Sequence, residues 1–218
     1  MSADDQMILD IDDVSDNVAA LEDIVAAMKT IDSAYAYIRD NKDLPATFHK
    51  TFQQSITVQG VLQALADELL YRGLRTPFEI PAQTLEFISN KIGVLGNILE
   101  KVTASLNTSA NSCYLRAVRE QGPDSAVETL MLDIMEKTGA IAITNQPVAT
   151  TVQAQLTSLH EAMQELASME PSAPETESNP QYSHTGSGNM FNNTGRGKQF
   201  NNTGTGRQYQ AEVMHFKD

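Results

Sequence analysis

Apolar residues recur at intervals of three and four from Val18 to Leu166, and then the pattern stops. Spacing of that kind puts one side of a 3.6-residue helix against a core and gives no period-two face to a strand. Val18, Leu21, Val25, Met28, Ile31, Tyr35 and Ile38 define a first helix over 14–40. Asn41-Lys-Asp-Leu-Pro45 ends it, because Pro45 pushes Leu44 out of the helical region while its own fixed φ suits the start of a new helix. A second helix over 46–71 carries Phe48, Phe52, Ile56, Leu62, Leu65 and Leu69 and stops at Gly73. A third begins near Pro81 with Leu85, Ile88, Ile92, Leu95, Leu99 and Val102, and its internal Gly93 and Gly96 suggest a close helix approach or a kink. Shorter helices follow over 109–120, 125–141 (Val127, Leu130, Met131, Ile134, Met135) and 148–168 (Val152, Leu156, Leu159, Met163, Leu166). Long amphipathic helices on short connections predict an all-α antiparallel bundle. Trp is absent and aromatics make up 6% of the chain, so Leu, Ile, Val and Met are expected to fill its core.

Four segments follow: an acidic flexible N-terminus over 1–13, the helical domain over 14–168, a disordered linker over 169–184 and a distinct tail over 185–218. Glu170 to Pro180 holds three prolines and three glutamates with no apolar period, which reads as solvated linker. The formal charge of −13 opposes a whole-protein grip on nucleic acid, so no nucleic-acid partner is expected. A single cysteine, Cys113, excludes an internal disulfide and is expected to be a half-buried packing residue. The Met1-Ser-Ala-Asp-Asp-Gln start lacks the basic and apolar regions of a secretory signal, and no run approaches the roughly 20 apolar residues of a membrane span. A cytoplasmic location is the expectation.

The tail has a different order. Thr185-Gly-Ser-Gly-Asn-Met-Phe-Asn-Asn, Thr194-Gly-Arg-Gly-Lys-Gln-Phe-Asn-Asn and Thr203-Gly-Thr-Gly-Arg-Gln-Tyr-Gln-Ala follow one another with a period of nine. One such unit has a single aromatic side chain and cannot offset the ordering entropy of its own backbone, roughly 1–2 kcal/mol per residue. Stacked in register, like units pair every backbone group, form amide ladders and align their aromatics. The tail is therefore expected to form an inducible cross-β assembly. Phe191, Phe200, Tyr209 and Phe216 would anchor packing, Gln199, Gln208, Asn192 and Asn201 would form the ladders, and Gly186, Gly195, Gly197, Gly204 and Gly206 would permit bends. The calcium-binding nonapeptide β-roll needs an aspartate ligand that these units lack, and their three basic residues are too few to track RNA phosphates.

Chemistry finds no foothold. His49, His160, His184 and His215 show no paired metal spacing, and Asp10-Ile-Asp-Asp13 lacks the glycine and terminal glutamate of a calcium loop. No catalytic residue, metal or cofactor is expected, and the chain is read as a non-enzyme. Met131, Met135, Met163 and Met169 are read as core filling, with an adaptable partner groove as the alternative.

Ile24-Val-Ala-Ala-Met-Lys-Thr-Ile-Asp-Ser-Ala-Tyr-Ala-Tyr-Ile through Leu44-Pro-Ala-Thr-Phe48, with Ala126-Val-Glu-Thr-Leu-Met-Leu-Asp-Ile134, resembles the fungal Ses-A-type domain at the N-termini of NACHT and other STAND NTPases. The tail from Gly195 to Tyr209 resembles the Ses-B or sigma-type prion-forming motifs of the same systems. The resemblance implies a cell-death or incompatibility effector. An NLR-like receptor with a matching motif would oligomerise and template the tail, and the helical domain would then signal. No P-loop pattern occurs in this sequence, so that NTPase would be a separate partner. Pore-forming relatives begin with an apolar helix, whereas this start is rich in aspartate, which argues against direct lysis and leaves other membrane engagement open. The competing expectation is a constitutive helical adaptor or scaffold with a passive tail.

Replacing both Phe200 and Tyr209 with Asp should abolish fibre formation, read by thioflavin fluorescence, while circular dichroism retains the helical signal of the wild type.

Overall fold

A computed structural model describes residues 11–72, 80–104, 108–122, 124–144 and 146–173. The chain divides into two units, Met1–Ala173 and Pro174–Asp218, and the second lies outside the described residues. Every regular element among the described residues is an α-helix, in the order α1 (Ile11–Tyr35), α2 (Ala46–Gln53), α3 (Ser55–Arg72), α4 (Ala82–Thr103), α5 (Ala110–Gln121), α6 (Val127–Thr144), α7 (Gln146–Thr151) and α8 (Gln153–Ala167). The expected all-α bundle is the fold found. Helix α1 packs on α3 and α4, α4 continues to α5 and α6, and α6 carries α3 and α8 on its other sides.

The stripe on α1 is buried as its spacing requires, with Leu21 and Met28 fully sealed. The helix begins at Ile11 rather than Val14 and stops at Tyr35, five residues before the expected end. Beyond Tyr35 the amides of Tyr37 and Ile38 reach back three residues, to the carbonyls of Ala34 and Tyr35, so the last turns tighten before Pro45 intervenes.

The expected helix over 46–71 is two helices, broken at Gln54. Ser55 Oγ donates to the Phe52 carbonyl at 2.6 Å and also bonds the Asp32 carboxylate on α1, a local alternative to the regular ladder. Gln59 Nε2 meets the same carboxylate, so Asp32 fixes the first turns of α3. The break changes the phase of the apolar face. Val58, Val61, Leu62, Leu65 and Leu69 are sealed, whereas Ile56, placed in the core by spacing alone, is 70% exposed. The last predicted helix is likewise divided, into α7 and α8, at fully buried Val152.

Helix α4 starts just after Pro81 and runs unbroken to Thr103 with the expected residues buried. Its glycines do not mark a close approach. A Cβ at Gly93 would meet nothing within 4 Å, and one at Gly96 would lie 4.0 Å from Ile31 Cγ1, an ordinary contact. The glycine that does need its freedom is Gly122, whose φ of +103° ends α5 and turns the chain toward α6. At the other end of α5, Ser109 Oγ accepts from the Ser112 amide at 3.2 Å and donates to Asp43 Oδ2 at 2.6 Å. Asp43 Oδ2 also takes the Asn111 amide at 3.1 Å. These hydrogen bonds hold the Asp43 carboxyl below its usual range and tie the α1–α2 loop to α5.

Aliphatic side chains do not fill the core alone. Tyr35 stacks on Phe52 with centroids 5.2 Å apart, Phe52 meets Phe48 at 4.8 Å, and Phe48 meets the edge of Tyr114 at 5.0 Å. The few aromatics thus form one file from α1 through α2 to α5. Phe48→Ala should cost about 3–5 kcal/mol by opening this file, lowering the urea midpoint at unchanged m. Ile56→Ala should stay within about 0.5 kcal/mol of wild type in the same measurement.

Candidate functional site

The described residues after α8 stay on the bundle. Segment 169–173 runs back across α2, α5 and α6. Thr47 Oγ1 donates to the Glu170 carbonyl at 2.5 Å, and the Ser172 amide donates to Glu128 Oε1 at 2.8 Å. The Ser172 hydroxyl lies between Glu128 Oε2 and the Tyr114 hydroxyl, hydrogen-bonded to both. Met169 and Ala173 pack against the hydrophobic core on either side. The sequence reading of a solvated linker from residue 169 onward is therefore corrected for 169–173: Ser172 is buried with 3% exposure. Nothing periodic announces such docking, because its polar anchors are two backbone groups and one hydroxyl.

The groups under this segment have matched chemistry. Glu128 is buried in the first turn of α6, where the helix N-terminus favours a carboxylate. Tyr114 is fully buried, and its hydroxyl also accepts from the Val127 amide at 3.4 Å, one of the donors that a helix start leaves without a partner. Burial, reinforced by the Glu128 charge and opposed by the Ser172 hydrogen bond, pushes the Tyr114 phenol up to about 12.

A second polar group sits at the far end of the aromatic file. His49 Nε2 donates to the Asn41 carbonyl at 2.8 Å, and Nδ1 shares a hydrogen bond with the Tyr35 hydroxyl at 3.1 Å. The two contacts make His49 a clamp between the α1–α2 turn and α2. Burial raises the Tyr35 phenol above its ordinary range. Beside it an open groove of about 410 Å³ is lined by Asp32, Tyr35, Arg39, Phe52 and Ile56. Another, of about 380 Å³, lies between α1 and α4, with Ile24 and Leu85 below Asp16, Asp23 and Glu86.

Each candidate assembly residue, from Gly186 to Phe216, lies outside the described residues, as do His184 and His215. His160 is exposed on α8, within 2.9 Å of Gln164 Nε2. Cys113 is buried, with its sulfur 3.0 Å from Thr108 Oγ1. Met131 and Met135 are sealed in the core, while Met163 and Met169 are partly covered. Among the described residues no cluster of three metal-ligating side chains occurs, and no helix is long and apolar enough to cross a membrane. Sequence reasoning missed Tyr114, Glu128 and Ser172. The only available signal was a glutamate, Glu128, interrupting the otherwise apolar start of α6.

The described residues define an all-helical bundle closed by a docked non-helical segment. The chain belongs to the SesA family, described as an N-terminal domain on NACHT-NTPases and P-loop NTPases, which matches residues 21–141, more than half of the sequence. Residues 179–217 match a second family, the sigma domain on NACHT-NTPases. Both matches agree with the resemblances drawn from the sequence. No curated protein and no solved structure matches the chain.

The raised Tyr114 value carries a pH signature. The unfolded phenol loses its proton near 10 and the folded one near 12, so the contribution is complete below pH 10 and is lost as pH rises through 12. Urea midpoints measured from pH 9 to 12 should fall with a component of about 2–3 kcal/mol that is missing from Tyr114→Phe.

Proposed function

We propose that the protein is a signalling effector of a NACHT-type NTPase, switched on when its C-terminal repeats are templated into a cross-β stack. The observation that carries this reading is coincidence of position. The sigma-domain match over 179–217 encloses all three nine-residue units, and it stands on one chain with a domain family itself found on NACHT-NTPases. Two parts associated with the same class of NTPase, in one protein, suit a partner that relays the state of such an NTPase.

The physical route is assembly rather than catalysis. An NTPase that oligomerises would gather copies of a matching motif, and a cluster of motifs offers a ready edge on which further like strands pair. The effector chains drawn to that edge would carry their helical bundles into close array, and the raised local concentration would bring together surfaces too weak to associate alone. Cell death or incompatibility is the output this layout suits, with a cytoplasmic setting and no step that needs a cofactor.

Templating is tested on the full-length protein. Preformed fibres of residues 180–218 added at about one per cent should shorten the lag of thioflavin-positive assembly at least ten-fold, with fibres visible by electron microscopy. Full-length protein that stays monomeric in the presence of seeds would overturn the reading and leave a constitutive helical adaptor in its place.

A further inference from the structure

We infer that the open groove between the end of α1 and the α2–α3 junction is a self-association surface, on which two copies of the bundle pair across a two-fold axis. The argument starts from Ile56. The break at Gln54 turns it outward, so it is 70% exposed while Val58, Val61 and Leu62 on the same helix are sealed. Its apolar side chain serves no packing inside the protomer. Nor does it stand alone on a polar surface, because it borders the groove of about 410 Å³ whose walls include Tyr35, Ala36 and Phe52. Tyr37, 87% exposed, follows Ala36 directly in the chain.

Charge selects the occupant. Among the residues lining the groove, Asp32, Arg39 and Asp40 are ionic. Asp32 is committed within the protomer, where Ser55 and Gln59 take its two oxygens. Arg39 and Asp40 meet each other at 3.6 Å, with side-chain exposures of 65% and 93%, so both keep most of their surface in water. A pair this exposed contributes little to its own fold. A strongly acidic or strongly basic partner would set a like charge against one of the two, and a second copy does not. In an isologous contact residue i meets j while j meets i, so Arg39 of each copy faces Asp40 of the other and Ile56 lies beside its own counterpart. Other faces suit a second copy less well. The formal charge of −13 makes copies repel, and the groove between α1 and α4 is bordered by Asp16, Asp23 and Glu86. One small patch of mixed sign suits weak pairing, which takes effect once copies are concentrated and does not depend on what concentrates them.

Sedimentation of the full-length chain, in solutions free of thioflavin signal, tests this. Between about 10 μM and about 1 mM the average mass should climb from monomer toward dimer. Ile56→Asp, which sets two carboxylates together at the axis, should weaken pairing at least ten-fold while circular dichroism keeps the helical signal, and Ile56→Ala should act in the same direction. Arg39→Asp and Asp40→Arg should each be monomeric alone, because each sets like charges together. An equimolar mixture of those two variants should dimerise at least as tightly as the wild type, a rescue that requires residues 39 and 40 to face one another across the contact. The chain with both Phe200→Asp and Tyr209→Asp should pair as the wild type does, which assigns the contact to the bundle and keeps it separate from templating. Wild-type protein that stays monomeric at about 1 mM, a dimer that Ile56→Asp leaves intact, a variant mixture that stays monomeric, or pairing lost with the tail substitutions would each overturn the inference.

Discussion

The bundle depends on the packing of Phe48 and Phe52 on α2. That helix has eight residues, too few to be stable by propensity, so it exists because both rings are sealed in the core, Phe52 on Tyr35 and Phe48 on Tyr114. The aromatic file they complete is apolar along its length and polar at its ends. Tyr35 puts its hydroxyl on His49 at one end, and Tyr114 puts its hydroxyl on Ser172 at the other. Large amphipathic rings suit this use, because each buries its body and still places a hydrogen-bonding group at the edge of the core. The turn after α1 and the segment after α8, which have no helical ladder of their own, are both held by the ends of this file.

Charge plays a smaller part. Lys50 with Glu165, Lys91 with Asp133 and Lys101 with Glu120 link pairs of helices at 2.6–2.7 Å, but all have substantial exposure and each contributes on the order of 1 kcal/mol or less. The consequential polar groups are those that accept hydrogen bonds from another element. Asp32 sets where α3 begins, Asp43 completes the start of α5, and Glu128 holds the extended segment. Each carboxylate accepts from backbone or neutral side chains on a different element, which locates one helix relative to another.

Periodicity made α1, α4 and α6 legible, and Pro45 and Pro81 marked where α2 and α4 begin. It failed where a helix is interrupted without a proline or glycine. Nothing in Phe52-Gln-Gln-Ser-Ile56 signals a break, since Ser55 disrupts the ladder only because Asp32 is there to receive it, and the resulting change of phase turns Ile56 outward. Gly93 misled in the opposite sense, because an exposed helical glycine and one under a neighbouring helix look the same in sequence. The repeats and the two family matches were readable directly from residue order. The buried trio of Tyr114, Glu128 and Ser172 was not, since its members are far apart in sequence and only the fold brings them together.

Docking of residues 169–173 also separates two definitions of a module. Judged by recurrence among relatives, the SesA pattern closes at residue 141. Judged by closure of its interior, the unit needs α8, whose Leu159 and Leu166 are sealed, and then Ser172, without which Glu128 would keep a buried charge lacking both donors that Ser172 supplies. An ancestor that exchanged the whole of 142–218 for another sequence would have lost part of its own interior. Recombination beyond residue 173 would keep every one of these described contacts, which makes the stretch before the sigma match at 179 a natural seam along which such chains can acquire new addresses.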